Sequence, residues 1–351
     1  MRFGPIPTTL MERFALAAGL VPVPLLDMLH GMMKARVIMA GVRLGIFEAV
    51  AEEPQDAATL AARLRLDEGS LELLLRTLVI AEYLTLSGGR YGLSRLSRRT
   101  MVRGAKTPMT GFAQWNYVQW DWMTRLEDLV RTGRGVDFHE TLVDPEAWGH
   151  YQEAMLDVAR AFAPEMARLV PVRRGATRLL DIAGSHGLVG AAICRRHPPM
   201  RSTVIDLPQA VPHARALAAR EGIADIVEYR PGNLMTDDFG TGWDVVVLSN
   251  ILHHFEPPQI ARILGRAGDA AGPDATVAIW EVERPERGAR PSVGDGAALF
   301  FRLTSTAGAY HGSEYARWLA DAGFTGVTIT RSRAVPGDVL VCGRRPSNGR
   351  T

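Results

Sequence analysis

Two short stretches decide the fold of this chain: residues 179–187 read LLDIAGSHG, and residues 204–208 read VIDLP. In the first, an apolar strand runs into a glycine turn that opens a helix; in the second, a strand ends on an acid. Gly184 and Asp206 are 22 residues apart, the span of one strand-helix-strand unit. We therefore expect the turn and the carboxylate side by side at the carboxyl edge of a parallel sheet, where a carboxylate can accept hydrogen bonds from both hydroxyls of a ribose.

The spacing of the glycines narrows the class of nucleotide. Gly184, Gly187 and Gly190 are three residues apart, so the sequence lacks the tight Gly-x-Gly of a dinucleotide fingerprint and has no phosphate-binding loop ending in Gly-Lys-Ser/Thr. What remains is a turn that lets the backbone approach a ligand without a diphosphate, as the methionine half of S-adenosylmethionine requires. The alternative is that these glycines only close a turn between strand and helix.

The composition describes a globular chain long enough for two domains, with 351 residues of which 47% are hydrophobic and 22% charged. The formal net charge of +2 gives no reason to expect nucleic acid or a membrane as a partner. Cys194 and Cys342 make neither a disulfide framework nor a metal site, so we expect a cytoplasmic location and no metal. The apolar segment 14–29 is broken by two prolines and an acid, which favours an arm packed on a partner subunit over a signal peptide or a membrane span.

Residues 30–100 have the pattern helix, helix, hairpin, with a glycine hairpin at 84–93, which is typical of a winged-helix arrangement. This shape leaves open a DNA-binding regulator. The helix that would enter a DNA groove, 68–80, is mostly aliphatic, with one arginine and two glutamates. Burial against another subunit is therefore the better interpretation.

From residue 173 to about 346 the pattern alternates between strand and helix, which predicts a doubly wound α/β domain. The expected strands are 178–183, 202–206, 226–230, 243–249, 275–281, 325–331 and 338–344, and the expected helices are 187–197, 208–221, 257–270 and 312–322.

Chemically useful side chains follow several of these strands. The strand 243–249 leads into His253 and His254, and a histidine there can take the proton of an acceptor hydroxyl. Adjacent side chains point in different directions, so at most one is expected to be the base, and a helix-start histidine bonded to backbone is the alternative. Glu281 and Glu283 follow another strand and either orient a histidine or lie in solvent.

Two further groups complete the candidate pocket. Asn233 can bind the amino group of adenine, and Leu234 or Met235 can pack on its face. Aromatic residues crowd eleven positions of the helical region 106–172, and they either form a core or line an acceptor pocket. These aromatic residues are Phe112, Trp115, Tyr117, Trp120 and Trp122.

Taken together, residues 181–187 (DIAGSHG), 206–208 (DLP), 232–234 (GNL) and 251–253 (ILH) resemble the plant-type and bacterial small-molecule O-methyltransferases that use S-adenosylmethionine. The resemblance extends over roughly residues 30–345. It implies a class I methyltransferase, Rossmann-like sheet of seven mostly parallel strands, a mainly helical winged-helix dimerisation domain, and a homodimer. It also implies a catalytic base at His253, a ribose ligand at Asp206, an acid bracketing the base at Glu281, and a methionine against the acceptor at Met155.

The chain departs from the family pattern at several positions. Ala183 and Ser185 occupy two glycine places, so we expect a turn that is tighter against the cofactor. Asn233 replaces the usual acid beside adenine, and Ser249 replaces the usual lysine. His254 stands where the family often has aspartate, and a second acid bracketing the base would fall near Ala309.

These observations predict three regions: a winged-helix-like dimerisation domain over 1–105, a helical linker with acceptor-pocket residues over 106–172, and the S-adenosylmethionine-binding domain over 173–346. The expected catalytic residues are His253 and Glu281. The expected cofactor-binding residues are Asp181, Gly184, Gly187, Asp206, Leu207, Asn233, Leu234 and Ser249. The expected residues of the acceptor pocket are Phe112, Trp115, Trp120, Met155, His254, Phe300 and Phe301.

The predicted function is methylation of a hydroxyl on a small, aromatic or polyketide-like natural product, with S-adenosylmethionine as cofactor and His253 as general base. The nearest alternative keeps the fold and methylates carbon, nitrogen or carboxylate, or uses the cofactor without methyl transfer. More distant alternatives are a winged-helix regulator that senses the cofactor and an oxidoreductase, which the missing dinucleotide glycines disfavour.

Overall fold

The computed structural model describes residues 4–136, 142, 144–286 and 288–347. The chain forms two compact units that divide between Val118 and Gln119, here called the N-terminal and the C-terminal unit. Residues 1–3 of the expected dimerisation domain, 137–141 and 143 of the expected linker, and 287 of the expected cofactor-binding domain lie outside the described residues. The domain limits at 105 and 172 stay a proposal.

The N-terminal unit is mainly helical, with one two-stranded hairpin, as predicted. Its helices are α1 (Leu10–Ala17), α2 (Val23–Leu25), α3 (Gly31–Arg43), α4 (Ile46–Ala49), α5 (Ala57–Leu64), α6 (Glu68–Ile80), α7 (Arg95–Thr100) and α8 (Thr110–Gln119), with a π-helical turn at Leu26–His30, and its strands are β1 (Leu84–Ser87) and β2 (Arg90–Leu93). Helix α6 begins at Asp67, whose carboxylate accepts a hydrogen bond from Ser70 N at 2.8 Å. Its leucines are divided between two faces: Leu75 and Leu78 are buried in the core, whereas Leu73 is exposed.

The C-terminal unit holds one seven-stranded sheet in the order β5-β4-β3-β6-β7-β9-β8. Its strands are β3 (Arg178–Ile182), β4 (Arg201–Asp206), β5 (Val227–Pro231), β6 (Trp243–Ser249), β7 (Ala271–Val282), β8 (Thr325–Arg331) and β9 (Asp338–Arg344), and its helices are α9 (Leu126–Thr132), α10 (Pro145–Leu169), α11 (Leu188–Arg196), α12 (Val211–Arg220), α13 (Pro257–Ala270), α14 (Val293–Thr304) and α15 (Gly312–Asp321), with 3₁₀ turns at Trp120–Arg125 and Leu252–His254. The five strands β5, β4, β3, β6 and β7 are parallel to one another, and β9 runs antiparallel between β7 and β8. The predicted doubly wound fold is confirmed.

Both faces of this sheet are covered, which explains its apolar strands. In β6, Val246 and Leu248 belong to one core with helices α13 and α15, whereas Val245 and Val247 belong to a second core with α10 and α11. Successive side chains of a strand point to opposite faces, so one continuous apolar run supplies both cores. Strand β3 lies between β4 and β6. Strands β4 and β5 are added on one side of β3, and β6 and β7 on the other, so a crevice opens beyond the carboxyl ends of the strands at this point.

Two elements differ from the prediction. Strand β7 begins at Ala271, four residues earlier than expected, and helix α14 was not predicted. The helix has a capping box, in which Ser292 Oγ accepts from the backbone and the Asp295 carboxylate accepts from Ser292 N at 2.7 Å. Two glycines in the first turns of the helix weaken the helical pattern of the sequence, so the capping box alone did not predict a helix. Within the part of the chain that the structure describes, no helix combines the length and apolar character needed to cross a bilayer.

Candidate active site

A cavity of about 320 Å³ lies at the carboxyl edge of β3, β4 and β6, within the C-terminal unit. Its wall includes most of the residues expected to bind the cofactor: Asp181, Gly184, Asp206, Leu207, Asn233, Leu234 and Ser249. The eighth, Gly187, supports the turn: a Cβ there would lie 2.8 Å from Val227 Cγ1. The sheet therefore brings this set together although its members are up to 68 positions apart in the sequence.

The glycine turn, residues 183–187, follows β3 and has an unusual backbone. Ala183 and Ser185 have φ angles of 54° and 51°, and Gly187 has 73°. This left-handed region costs a residue with a Cβ about 1–2 kcal/mol, so the backbone favours glycine at the two places where this chain has alanine and serine. Gly184 is needed for another reason, since a Cβ there would overlap the Asp181 carboxyl group.

The Asp206 carboxylate, at the tip of β4, is held by two backbone donors. Ser185 N donates to Oδ2 and Leu207 N to Oδ1, both at 2.7 Å. Burial raises the pKa of Asp206 to about 6. Each oxygen keeps a further lone pair in a residue that lines the cavity, so the carboxylate can still accept from two ribose hydroxyls.

Two buried oxygen atoms in the cavity wall lack a hydrogen-bond partner among the described residues: Asp181 Oδ1 and Asn250 Oδ1. Asp181 Oδ2 accepts from Gly190 N at 3.2 Å, and burial raises the pKa of Asp181 to about 7. No arginine or lysine is present among the described residues of the wall. Unpartnered acceptors and two carboxylates suit a ligand with positive charges and ribose hydroxyls, so the residues present fit S-adenosylmethionine.

His186 ties the glycine turn to helix α10. Its Nδ1 accepts from Leu188 N at 3.0 Å, and the ring also bonds to the backbone of Met155. Burial lowers the pKa of His186 to about 4, so the ring is neutral near pH 7 and serves as a structural link. This contact brings Met155, which also lines the cavity, next to the turn. Sequence reasoning gave His186 no role.

The other side of the cavity is built on the histidine turn, residues 251–254, which follows β6. His253 Nδ1 lies 2.8 Å from Glu281 Oε2, and both side chains are buried, with 3% and 0% exposed. Glu281 Oε1 also accepts from Ile251 N at 2.7 Å and from Leu252 N at 2.6 Å. A carboxylate held by two N–H donors is an acceptor, which assigns the proton of the neutral ring to Nδ1 and the lone pair to Nε2.

His254 lines the cavity, while His253 is not part of its wall among the described residues. The two imidazole rings are in contact, with centroids 4.1 Å apart, and Phe301 packs on His253 at 4.2 Å. Glu283, the second acid considered at this strand end, instead pairs with Arg331 and His311. His253 thus sits directly behind the cavity edge, with Glu281 and Phe301 around it.

The segment 305–308 holds the histidine turn at the place where the sequence lacks a second bracketing acid. Gly308 N donates to His253 O at 2.9 Å, and Thr306 Oγ1 donates to His254 O at 3.1 Å. The Arg302 guanidinium organises the segment by donating to the carbonyls of Thr306 and Ala307 at 2.9 and 2.5 Å. Hydrogen bonds to backbone carbonyls, from both backbone and side-chain donors, therefore fix the turn next to Ala309, which is buried.

The remaining acceptor-pocket candidates are distributed over both units. Phe112, which is partly exposed, and Trp115, which is buried, belong to the N-terminal unit, whereas Trp120 belongs to the C-terminal unit. Phe300 packs edge-on against Phe301 in α14. The cavity-lining residues that sequence reasoning missed include Gln152, Phe162 and Asn250. The first two lie in the long helix α10, where no motif marks the face toward the cavity.

Comparison with known proteins identifies the family of the chain. The O-methyltransferase domain family matches residues 123–325, and the O-methyltransferase dimerisation domain matches residues 26–103. Among characterised relatives, the chain is 28% identical to 3-hydroxy-5-methyl-1-naphthoate 3-O-methyltransferase from Streptomyces sahachiroi, covering 92% of this chain and 95% of the relative. It is 27% identical to the N,N-dimethyltransferase OxyT from Streptomyces rimosus, covering 71% and 75%.

Among solved structures, human N-acetylserotonin methyltransferase in complex with S-adenosylmethionine superposes with a TM-score of 0.84, covering 97% of this chain and 100% of that one, at 19% identity. That likeness supports the fold. The domain match, which spans more than half of the chain, supports the family. The chain belongs to the O-methyltransferase family and is an S-adenosylmethionine-dependent methyltransferase.

Proposed function

We propose that this enzyme methylates a hydroxyl group of a small, aromatic or polyketide-like natural product, and that His253 is its general base. The observation that carries the proposal is the buried His253–Glu281 pair, 2.8 Å apart, next to a cavity lined by the residues expected for the cofactor. The naphthoate O-methyltransferase that covers nearly the whole chain supports an aromatic hydroxyl as the acceptor.

The cofactor site is proposed on residues of the cavity wall. S-adenosylmethionine, when bound, supplies a methyl group on a positively charged sulfur. Asp206 accepts hydrogen bonds from the ribose hydroxyls, Asn233 offers its amide to adenine, and Leu234 packs on the base. Asp181, Gly184, Leu207 and Ser249 complete the wall, and Gly187 shapes the turn behind it.

The acceptor is proposed to lie against Met155 and His254, which line the same cavity. His253 Nε2 takes the proton of the acceptor hydroxyl, and Glu281 stabilises the imidazolium that results. Trp120, Phe300 and Phe301 stay candidates for the hydrophobic surroundings of the acceptor, and the assignment of Phe112 and Trp115, which belong to the N-terminal unit, stays a prediction from the sequence. Proton removal of this kind contributes about 100- to 10,000-fold to a rate.

The variant His253→Gln tests this assignment. With hydroxynaphthoates and related phenols as acceptors, the wild-type protein should form methyl ethers, identified by mass spectrometry. We expect the variant to lose about 100- to 10,000-fold in kcat, while calorimetry shows an affinity for S-adenosylhomocysteine within about threefold of wild type, because His253 is not among the residues proposed to bind the cofactor. Near-normal turnover in the variant would remove His253 from the mechanism.

One alternative has support from a relative, since the chain is similar to an N,N-dimethyltransferase over 71% of its length. An uncharged amine already carries the lone pair that reacts, so it needs no base before the transfer. Aromatic amines offered beside the matching phenols separate the two cases. A preference for the amines, kept in His253→Gln, would favour nitrogen methylation.

We also propose that the enzyme is a homodimer. The dimerisation-domain match over 26–103 supports this assembly. Apolar side chains that stay exposed in the N-terminal unit add to it: Leu10, Met11 and Phe14 on α1 and Ile80 at the end of α6 are 69–83% exposed. Light scattering should give the mass of two chains. Ile80→Glu should shift the protein toward the monomer if this surface is the interface.

A further inference from the structure

The side chain of Gln152, in helix α10, is buried with 1% exposed and lines the cavity. Its Oε1 accepts a hydrogen bond from Ser185 Oγ at 2.7 Å. Ser185 belongs to the glycine turn and adopts a left-handed φ of 51° in spite of its side chain. Serine differs from glycine by a hydroxymethyl group, and here the hydroxyl of that group donates a hydrogen bond to Gln152.

This contact fixes the orientation of the amide. A serine hydroxyl that donates to Gln152 must meet the carbonyl oxygen, so the NH₂ group lies on the other branch of the amide. That nitrogen has no hydrogen-bond partner among the residues that the structure describes. Gln152 lines the cavity, and its nitrogen is not among the fully buried atoms that lack a partner, so it is accessible to donate to a ligand there.

The charges of the cavity indicate which ligand atom this donor would meet. Asp181 and Asp206 are the carboxylates of the wall, and across its described residues there is no arginine or lysine. The carboxylate of an amino acid placed here would therefore need neutral donors. Gln152 contacts the turn that follows β3, and the same cavity wall contains the unpartnered oxygens of Asp181 and Asn250, which suit an ammonium group.

We propose that the Ser185–Gln152 pair is a binding site for the carboxylate of the amino-acid end of S-adenosylmethionine, with the Gln152 amide nitrogen as its donor. The inference rests on the proposed cofactor site around Asp206 and adds a determinant of ligand specificity. The two halves of one ligand are thereby assigned to different residues: Asp206 binds the ribose, and Gln152 binds the amino-acid end.

Two ligands that differ only in that end provide the test. S-adenosylhomocysteine carries the amino acid, whereas 5′-methylthioadenosine shares the nucleoside and the thioether but lacks it. In calorimetry, Gln152→Leu should weaken S-adenosylhomocysteine about 10- to 100-fold. Gln152→Glu should weaken it further, because it sets a carboxylate against a carboxylate. Both variants should bind 5′-methylthioadenosine within about threefold of wild type.

Further variants keep the test decisive. Gln259→Glu places the same new charge at a residue of the wall in the first turn of α13, and it should leave the ratio of the two affinities unchanged. Ser185→Ala keeps Gln152 but removes the contact that orients it, and should weaken S-adenosylhomocysteine alone, by about two- to tenfold. Thermal unfolding checks that each variant is folded.

Equal losses for both ligands in the Gln152 variants, or no loss for either, would overturn the carboxylate site. A change of the affinity ratio in Gln259→Glu as large as in Gln152→Glu would also overturn it, because the effect would then be general electrostatics. Failure of the wild-type protein to bind either ligand would count against the proposed cofactor site itself. The two failures are therefore distinguishable.

Discussion

The glycine turn and the histidine turn use the same device for different ends. Each follows a parallel strand, β3 or β6, and each gives its backbone N–H groups to a carboxylate at the end of the neighbouring strand. Ser185 N bonds to Asp206 at the end of β4, and Ile251 N and Leu252 N bond to Glu281 near the end of β7. In each case, a carboxylate on the adjacent strand thus fixes the turn.

The difference lies in what the carboxylate does with its remaining lone pairs. Asp206 lines the cavity and has a raised pKa, so it is available to a ligand. Glu281 is fully buried, and its second oxygen bonds to His253. In the proposed function, the same arrangement serves ligand binding on one side of the crevice and positioning of a base on the other. Changes in the two carboxylates should accordingly separate turnover from affinity.

The largest effect is expected for Glu281→Gln. The variant keeps the size of the side chain but removes the charge that stabilises a protonated His253 and allows the ring to adopt the other tautomer. We expect kcat to fall about 100- to 10,000-fold, with the affinity for S-adenosylhomocysteine within about threefold of wild type. Glu283→Gln, two residues along the same strand end, removes an acid that pairs with Arg331 and His311 and is the matched control. Similar kcat values for the two variants would contradict the special role of Glu281.

The opposite pattern is expected for Asp206→Asn. The amide keeps one acceptor oxygen but replaces the other by a donor, so one of the two ribose hydroxyls loses its partner. We expect affinity to fall about 10- to 100-fold, and equally for S-adenosylhomocysteine and 5′-methylthioadenosine, because both contain the ribose. Calorimetry with both ligands measures this. A loss confined to S-adenosylhomocysteine would place Asp206 at the amino-acid end instead.

A smaller effect of the same origin is a dependence of affinity on pH. Burial raises the pKa of Asp206 to about 6 and that of Asp181 to about 7, and the ionised forms are the better acceptors. Affinity for S-adenosylhomocysteine should be highest above pH 7 and should fall as protons bind, by up to about tenfold per pH unit between pH 7 and 6 and more steeply below 6. Titrations between pH 8 and 5 test the trend, and Asp206→Asn should keep only the step near pH 7. A flat profile would show that neither carboxylate ionises on binding.

The sheet could be predicted from the sequence because its physical cause is local. Strands covered on both faces are continuous apolar runs bounded by turn residues, and all seven were found within a few residues of their ends. Helix α14 was missed because its glycines weaken the helical pattern. Asp206, Glu281 and His253 could be named in advance, since a residue at the end of a parallel strand has its position fixed by the sheet.

Gln152 and Asn250 could not be named in this way. Gln152 lies in a helix of 25 residues, and which of its faces meets the cavity depends on how the helix packs across the sheet edge. Asn250 has a φ of 52° and an unpartnered oxygen, but neither property has a signature in the sequence. Only the three-dimensional arrangement shows that these side chains face the same cavity as Asp206.

The smallest expected effect distinguishes Ala183 from Ser185, the two residues of the glycine turn that combine a left-handed φ with a side chain. Ala183→Gly relieves a strained φ of 54° at about 1–2 kcal/mol, and the added freedom of the unfolded chain offsets about 0.5–1 kcal/mol of this. Its free energy of unfolding should therefore rise by about 1 kcal/mol or less. Ser185→Gly gains the same relief but loses the hydrogen bond to Gln152, worth about 1 kcal/mol, so its stability should stay level or fall. Urea denaturation of both variants measures the difference, and a larger gain for Ser185→Gly would mean that the hydroxyl contributes nothing to holding the turn.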